Sequence, residues 1–264
     1  MTPDQSGACL RPPGADLRLL GCWQLALGGR TVELPPTARR ILTLLALRGP
    51  VARAAVSCTL WPEADEGAAA GRLRTALWRL SAGQRLVETR GEVLALAAAV
   101  RVDVRRMVAA AQALRDGGGA GVGAGAAVGA GVGAGEPPVE LFTQDLLPNW
   151  YEDWLVVERE RVRQIRLHAL EALSARMSRQ KRYVEAVDAA LVAVLAEPLR
   201  ESSHRAVIRA HLAEGNVAEA VRQYETCRVA LREQLGVEPS AELAGLMPLR
   251  TRTLPARRSP TPAH

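Results

Sequence analysis

The sequence predicts a mainly α-helical chain with a small β component. An N-terminal strand–helix–hairpin module is followed by an all-α, tetratricopeptide-like helical-repeat domain. Three observations carry this expectation. Leu17, Leu19, Trp23, Leu25 and Leu27 alternate with other residues, and after Pro35-Pro36 the apolar spacing changes to that of helices. Residues 117–135 are almost wholly Gly, Ala and Val. Further on, Tyr183-Val184-Glu185-Ala186-Val187 recurs as Val217-Ala218-Glu219-Ala220-Val221, an offset of 34 residues. That offset is the length of a helical hairpin that buries its face against the next one.

Residues 1–16, rich in Pro and Gly, are expected to lack structure. The alternating segment then reads as strands, with Gly28-Gly29 as a two-residue turn and Val32 and Leu34 resuming the pattern. From Thr37, read as an N-cap, Ile41, Leu44 and Leu45 mark a first helix that stops near Gly49-Pro50. A second helix is expected from Arg53 to Trp61, ended by Pro62. The acidic loop from Pro62 to Gly67 precedes a third, and the run from Arg85 to Ala97 reads as two short strands around Arg90-Gly91. Strands, three helices and a hairpin in that order make a winged helix over residues 17–114. Asp103 serves as a cap for a closing helix that runs to about Leu114. Residues 115–139 read as a flexible linker, since Gly offers nothing to pack and loses most entropy on ordering. Residues 140–247 read as the helical repeats, with turns at Glu197-Pro198, Gly215-Asn216 and Gly236 to Pro239. Residues 248–264, with four prolines and four arginines, read as a tail.

Charge sharpens the picture. Residues 1–110 hold 15 Arg against 9 Asp or Glu, residues 111–135 hold one of each sign, and residues 136–264 hold 18 of each. The whole excess of +6 therefore lies in the first part, as expected of a module that meets a polyanion. The stretch Arg72 to Leu80 focuses it. With Leu73, Leu77 and Leu80 set on a buried stripe, Thr75 points away from the core. Arg72 and Arg79 then share one flank, and Arg74 and Trp78 the other. A helix of this kind suits the DNA major groove, because guanidinium groups match guanine edges and phosphate oxygens.

Chemistry of other kinds finds no foothold. The four cysteines are far apart, so neither a disulfide framework nor a zinc module is expected, and a reducing cytoplasm fits. No signal peptide is read at the N-terminus and no membrane span anywhere. His204 and His211 share a helix face without carboxylate company, which points to packing, and Cys227 is expected in the helical core. No nucleophile elbow or phosphate loop occurs, so the chain is not expected to be an enzyme, nor to hold a cofactor or metal. Glu158, Arg159, Glu160, Arg161 and Arg163 are expected on an exposed, salt-bridged face. Trp150, Tyr151 and Trp154 are expected to dock the helix after the linker onto the helical array.

Two segments resemble one family. The run LPPTARRILTLLALRG, followed by LWPEADEGAAAGRLRTALWRL and LVETRGEVLALAAAVRVDV, is similar to the OmpR-like winged helix of Streptomyces antibiotic regulatory proteins. The run beginning LLPNWYEDWLVVERERVRQIRLHALEAL and ending VRQYETCRVALREQLGVEPS resembles their bacterial transcriptional activation domain. The resemblance implies a cytoplasmic, nucleoid-associated actinobacterial activator that binds promoter repeats as a side-by-side pair and contacts RNA polymerase and its sigma factor. Such regulators often govern clusters for secondary metabolism. It also implies Arg72, Thr75, Trp78 and Arg79 facing DNA, with Arg90 reaching the backbone from the wing. The alternative is a tetratricopeptide-type interaction adaptor or effector-sensing module with a weakened DNA-binding domain. Its motives are Ser81-Ala82-Gly83, where relatives continue with basic residues, and the long linker.

Overall fold

A computed structural model describes residues 14–81, 85–116 and 136–247. The expected linker lies mostly, and the tail wholly, outside the described residues. The chain divides into two compact units, Met1–Arg166 and Leu167–His264.

In the first unit, strands β1 (Ala15–Arg18), β2 (Gln24–Leu27) and β3 (Arg30–Val32) form an antiparallel meander. Gly28 and Gly29 both take positive φ, 56° and 81°, which a tight hairpin turn demands and only glycine adopts without strain. β1 opens at Ala15, inside the segment expected to lack structure. Two neighbours hold it there: Ala15 pairs with Leu27 on β2 and with Val100 on β7 (Val100–Val102), which runs parallel to β1. The sheet order is β3-β2-β1-β7.

Helix α1 (Pro36–Arg48) starts two residues earlier than expected, with Pro35 at the N-cap and no side-chain cap. Thr37 is thus not the cap; proline at the first helical position has the right φ and no N–H to satisfy. The short strand β4 (Val51–Ala52) leads into α2 (Arg53–Leu60), and α3 spans Glu66–Ser81. β5 (Val87–Arg90) and β6 (Val93–Leu96) form the hairpin, with β4 added along β6. That third strand escaped the sequence reading because two residues show no period. α4 (Asp103–Arg115) closes the module. Leu17, Leu25, Ile41, Leu45, Leu60, Leu73, Leu94 and Met107 are almost fully buried.

The same unit includes residues expected to belong with the helical repeats. After a 3-10 turn at Val139–Phe142, Leu146 bridges to Leu20, and the Leu147 N–H donates to the Leu19 carbonyl at 3.0 Å. The long helix α5 (Asp153–Arg179) then begins. Two expectations fail at its start. Trp154 does not dock onto the helical array: its ring lies under the Arg48 guanidinium of α1, 6.0 Å from the centroid, while Tyr151 is 93% exposed. Glu158 is not on an exposed face either. It is buried, with one oxygen 3.0 Å from Arg48 Nε, and Arg159 turns back to donate to the carbonyls of Leu146, Leu147 and Trp150. The cause is α1, whose Arg40 and Arg48 draw in Glu152 and Glu158.

In the second unit, α6 (Tyr183–Ala196), α7 (Glu201–Glu214) and α8 (Val217–Leu235) pack in succession, followed by the short α9 (Ala241–Ala244). The 34-residue offset is structural: Tyr183 and Val217 each begin a helix, and Ala186 and Ala220 are both fully buried. Gly215 takes φ 89° to end α7, with its N–H returning to the last turn. Ile208, Cys227, Leu231 and Leu243 build the core. Burial pushes the Cys227 thiol up to about 11, so it packs as an inert apolar group. His204 is buried, with Nε2 at 2.8 Å from the Pro198 carbonyl and Nδ1 at 2.7 Å from the Gln223 amide.

Candidate nucleic-acid interface

Helix α3 is set by its start. The Asp65 carboxylate accepts the Ala68 N–H at 2.8 Å, satisfying one of the unpaired first-turn donors, and the Asp65 carbonyl accepts the first intrahelical bond, from Ala69. Ala69, Leu73, Ala76 and Leu80 face inward, exposed by 8% or less. Leu77 is only half-buried, so the stripe is not Leu73, Leu77 and Leu80 as expected. At 3.6 residues per turn, exchanging Leu77 for Ala69 and Ala76 rotates the helix by roughly 40° about its axis. Alanine makes the difference, since close packing against α1 and α2 needs small side chains that a reading weighted to leucine passes over.

The rotation rearranges the outer face. Trp78, 71% exposed, moves to the centre of the outward side, with Arg74 and Thr75 beside it. Arg72 and Arg79 are exposed along the flank nearest α1. Among the described residues, none of Arg72, Arg74 and Arg79 has a carboxylate within ion-pair distance. By contrast Arg39, Arg40, Arg48 and Arg101 each hold one. Thr75 donates its hydroxyl proton to the Gly71 carbonyl at 3.0 Å, which leaves its oxygen as an acceptor.

Arg90 sits apart, near the turn of the β5–β6 hairpin, with its side chain 77% exposed and Nη2 2.9 Å from Glu88. The Arg90 hydrogen bond, aided by the Ala98 N–H, holds the Glu88 carboxyl below its usual range. An exposed pair of this kind is worth little and exchanges readily for a phosphate. Five of the six residues singled out therefore share one helix, and the sixth lies on the hairpin.

Two residues escaped the sequence reading. Arg53, at the start of α2, and Arg85, leading into the hairpin, line a cleft of about 240 Å³ with Trp78 and Thr89. No periodic pattern contains either arginine, so only the three-dimensional fold brings them to the face of α3. Among the described residues no group of His, Cys, Asp or Glu is placed to hold a metal ion, and no helix is long and apolar enough to cross a membrane.

The architecture so far is a winged helix, carrying an exposed arginine-rich helix, followed by a helical repeat. Residues 134–248 match the bacterial transcriptional activator domain. That match identifies this part of the chain as a bacterial transcriptional activator domain. A solved structure, Mycobacterium tuberculosis EmbR in complex with a low-affinity phosphopeptide, is similar over 90% of this chain. The TM-score is 0.63 at 18% identity, and this chain spans 66% of that one. At that identity the likeness is one of fold. No curated protein matches the chain.

Proposed function

We propose that the chain is a cytoplasmic, sequence-specific DNA-binding activator, in which α3 enters the major groove and the hairpin touches the adjacent backbone. The observation that carries this reading is the face of α3. Arg72, Arg74, Thr75, Trp78 and Arg79 are all exposed on a helix whose opposite side is buried, and its three arginines have no carboxylate partner among the described residues. Unpaired guanidinium groups on a rigid helix suit guanine edges and phosphates, and helix packing fixes their direction in advance. Arg74 and Thr75, beside the outward centre, read base edges. Arg72, Arg79 and Arg90, with Arg53 and Arg85, hold phosphates.

In this reading two copies bind adjacent promoter repeats, and the helical repeat recruits RNA polymerase and its sigma factor at a secondary-metabolism cluster. Val184, Leu191 and Leu195 support recruitment: they are 71%, 37% and 80% exposed along one side of α6, an apolar strip suited to a partner surface.

Fluorescence anisotropy with a duplex from upstream of the chain's own gene, and a scrambled duplex beside it, tests the proposal. Each phosphate held should contribute about 0.9 to the negative slope of log affinity against log salt. Arg74→Ala should cost roughly 1–3 kcal/mol on the native duplex and little on the scrambled one, whereas Arg90→Ala should weaken both alike. Binding that is absent or indifferent to salt rejects the proposal.

A further inference from the structure

We propose that a groove beside the outward face of α3 binds a small aromatic carboxylate, and that its occupancy withdraws Arg72 and Arg79 from DNA. The second half rests on the proposed DNA contact; the first stands without it. The groove measures about 500 Å³, within the range of small-molecule sites, and lies between the start of α1, the end of α2 and the flank of α3. Leu34, Pro35, Ala38, Trp61, Ala76 and Leu80 supply an apolar lining, with the Trp61 indole large enough to stack on a ring.

The rim determines which ligand fits. Arg72 and Arg79, seven residues apart on the same flank, border the groove with Thr75 between them, and no carboxylate side chain lines it. Neither arginine has an ion-pair partner among the described residues, so a carboxylate would meet guanidinium donors in the paired geometry they favour. The first turn of α1 adds to this: Thr37 and Ala38 line the groove, and no side chain caps the helix above them. Its positive end therefore reinforces the preference for an anion. An apolar body between Trp61 and Leu80 with its carboxylate at the arginines fits both halves of the groove. A neutral analogue fits only one.

The test uses the full chain, 1-naphthylacetate and its neutral amide, read by the NMR shift of the Trp61 indole N–H. The acetate should bind saturably and the amide about tenfold more weakly, the equivalent of 1.4 kcal/mol. Replacing Arg72 and Arg79 together by Gln should reduce acetate binding to that of the amide. Gly71→Phe should abolish both. Gly71 lines the groove and a Cβ there meets nothing within 4 Å, so the helix accepts the ring beside the groove mouth and gains propensity. Saturating acetate should also lower duplex affinity. An unsaturable Trp61 signal, equal affinity for the amide, or binding that survives Gly71→Phe overturns the groove. Saturable binding with unchanged duplex affinity overturns the competition. A chain that binds no duplex at all defeats the DNA reading instead, and Trp61 still decides the groove.

Discussion

Asp103 is not the cap that the sequence suggests: Val102 takes that position and Asp103 is the first residue of α4, where it does other work. Its carboxylate accepts the N–H groups of Leu19 and Leu20, at 2.9–3.0 Å, and that of Val104 at 2.7 Å. One side chain thus ties the end of β1 to the start of α4, 83 and 84 residues away in sequence. Asp103→Asn keeps the shape but turns an NH2 group toward those donors, so it should cost about 1–3 kcal/mol in urea unfolding. A smaller loss would show that solvent already shares these bonds. His204 makes a second prediction, through pH. Burial, the dominant influence, pulls its pKa below the ordinary 6.5, against the Pro198 carbonyl and Glu201. The folded chain therefore binds fewer protons than the unfolded one just below pH 6.5. Stability from this group is complete above that value. It declines as pH falls from there to the lowered folded value, and then levels off. Melting temperatures of the wild type and His204→Gln should converge as pH falls through this window. Parallel pH profiles would exclude the buried imidazole as the cause.

The elements were legible wherever their signal was local. Gly28-Gly29 announced its turn, Gly215 its helix end, and the 34-residue repeat its two equivalent helices, because backbone conformation and near-neighbour packing dictate each one. Partners distant in sequence left no such trace. Nothing in the run from Trp150 to Glu158 tells that Arg40 and Arg48, more than 100 residues earlier, will draw its carboxylates inward. Likewise Arg53 and Arg85 join the face of α3 only through the fold. The orientation of α3 falls between these cases. Its amphipathic character was plain, yet its rotation depended on which small residues α1 and α2 would accept. Two truncations measure that rotation. Leu73→Ala removes a side chain that is 2% exposed and should cost about 2–5 kcal/mol, the toll of a core cavity. Leu77→Ala, at the half-buried edge, should cost less than half as much by the same denaturation assay. Equal losses would return Leu77 to the centre of the stripe and Thr75 to the outward pole.

At the scale of the molecule, the matched activator domain begins at residue 134, yet its first helical turns belong to the compact unit that ends at Arg166. The attachment has an apolar and a charged part. Phe142, Leu146, Leu147 and Leu155 are each 2% exposed or less, and burying a side chain of that size is worth about 1.5–3 kcal/mol. The Leu20–Leu146 bridge adds backbone bonds, including Gly21 N–H to the Asp145 carbonyl at 2.7 Å. Arg40–Glu152 and Arg48–Glu158 are partly shielded and set the register of the contact, but the cost of taking their charges out of water offsets most of their attraction. The apolar part should therefore dominate, and a chain cut between Asp116 and Glu136 should not fall apart. With a protease site placed there, the two fragments should co-elute on size exclusion after cleavage. Arg48→Ala should leave that association measurable, while Leu146→Asp, which buries a charge where a leucine was, should separate the pieces. Separation of the wild-type fragments would mean that covalent connection alone holds the activator domain to the winged helix. Co-elution would mean that the winged helix and the first turns of α5 hold together without the covalent connection.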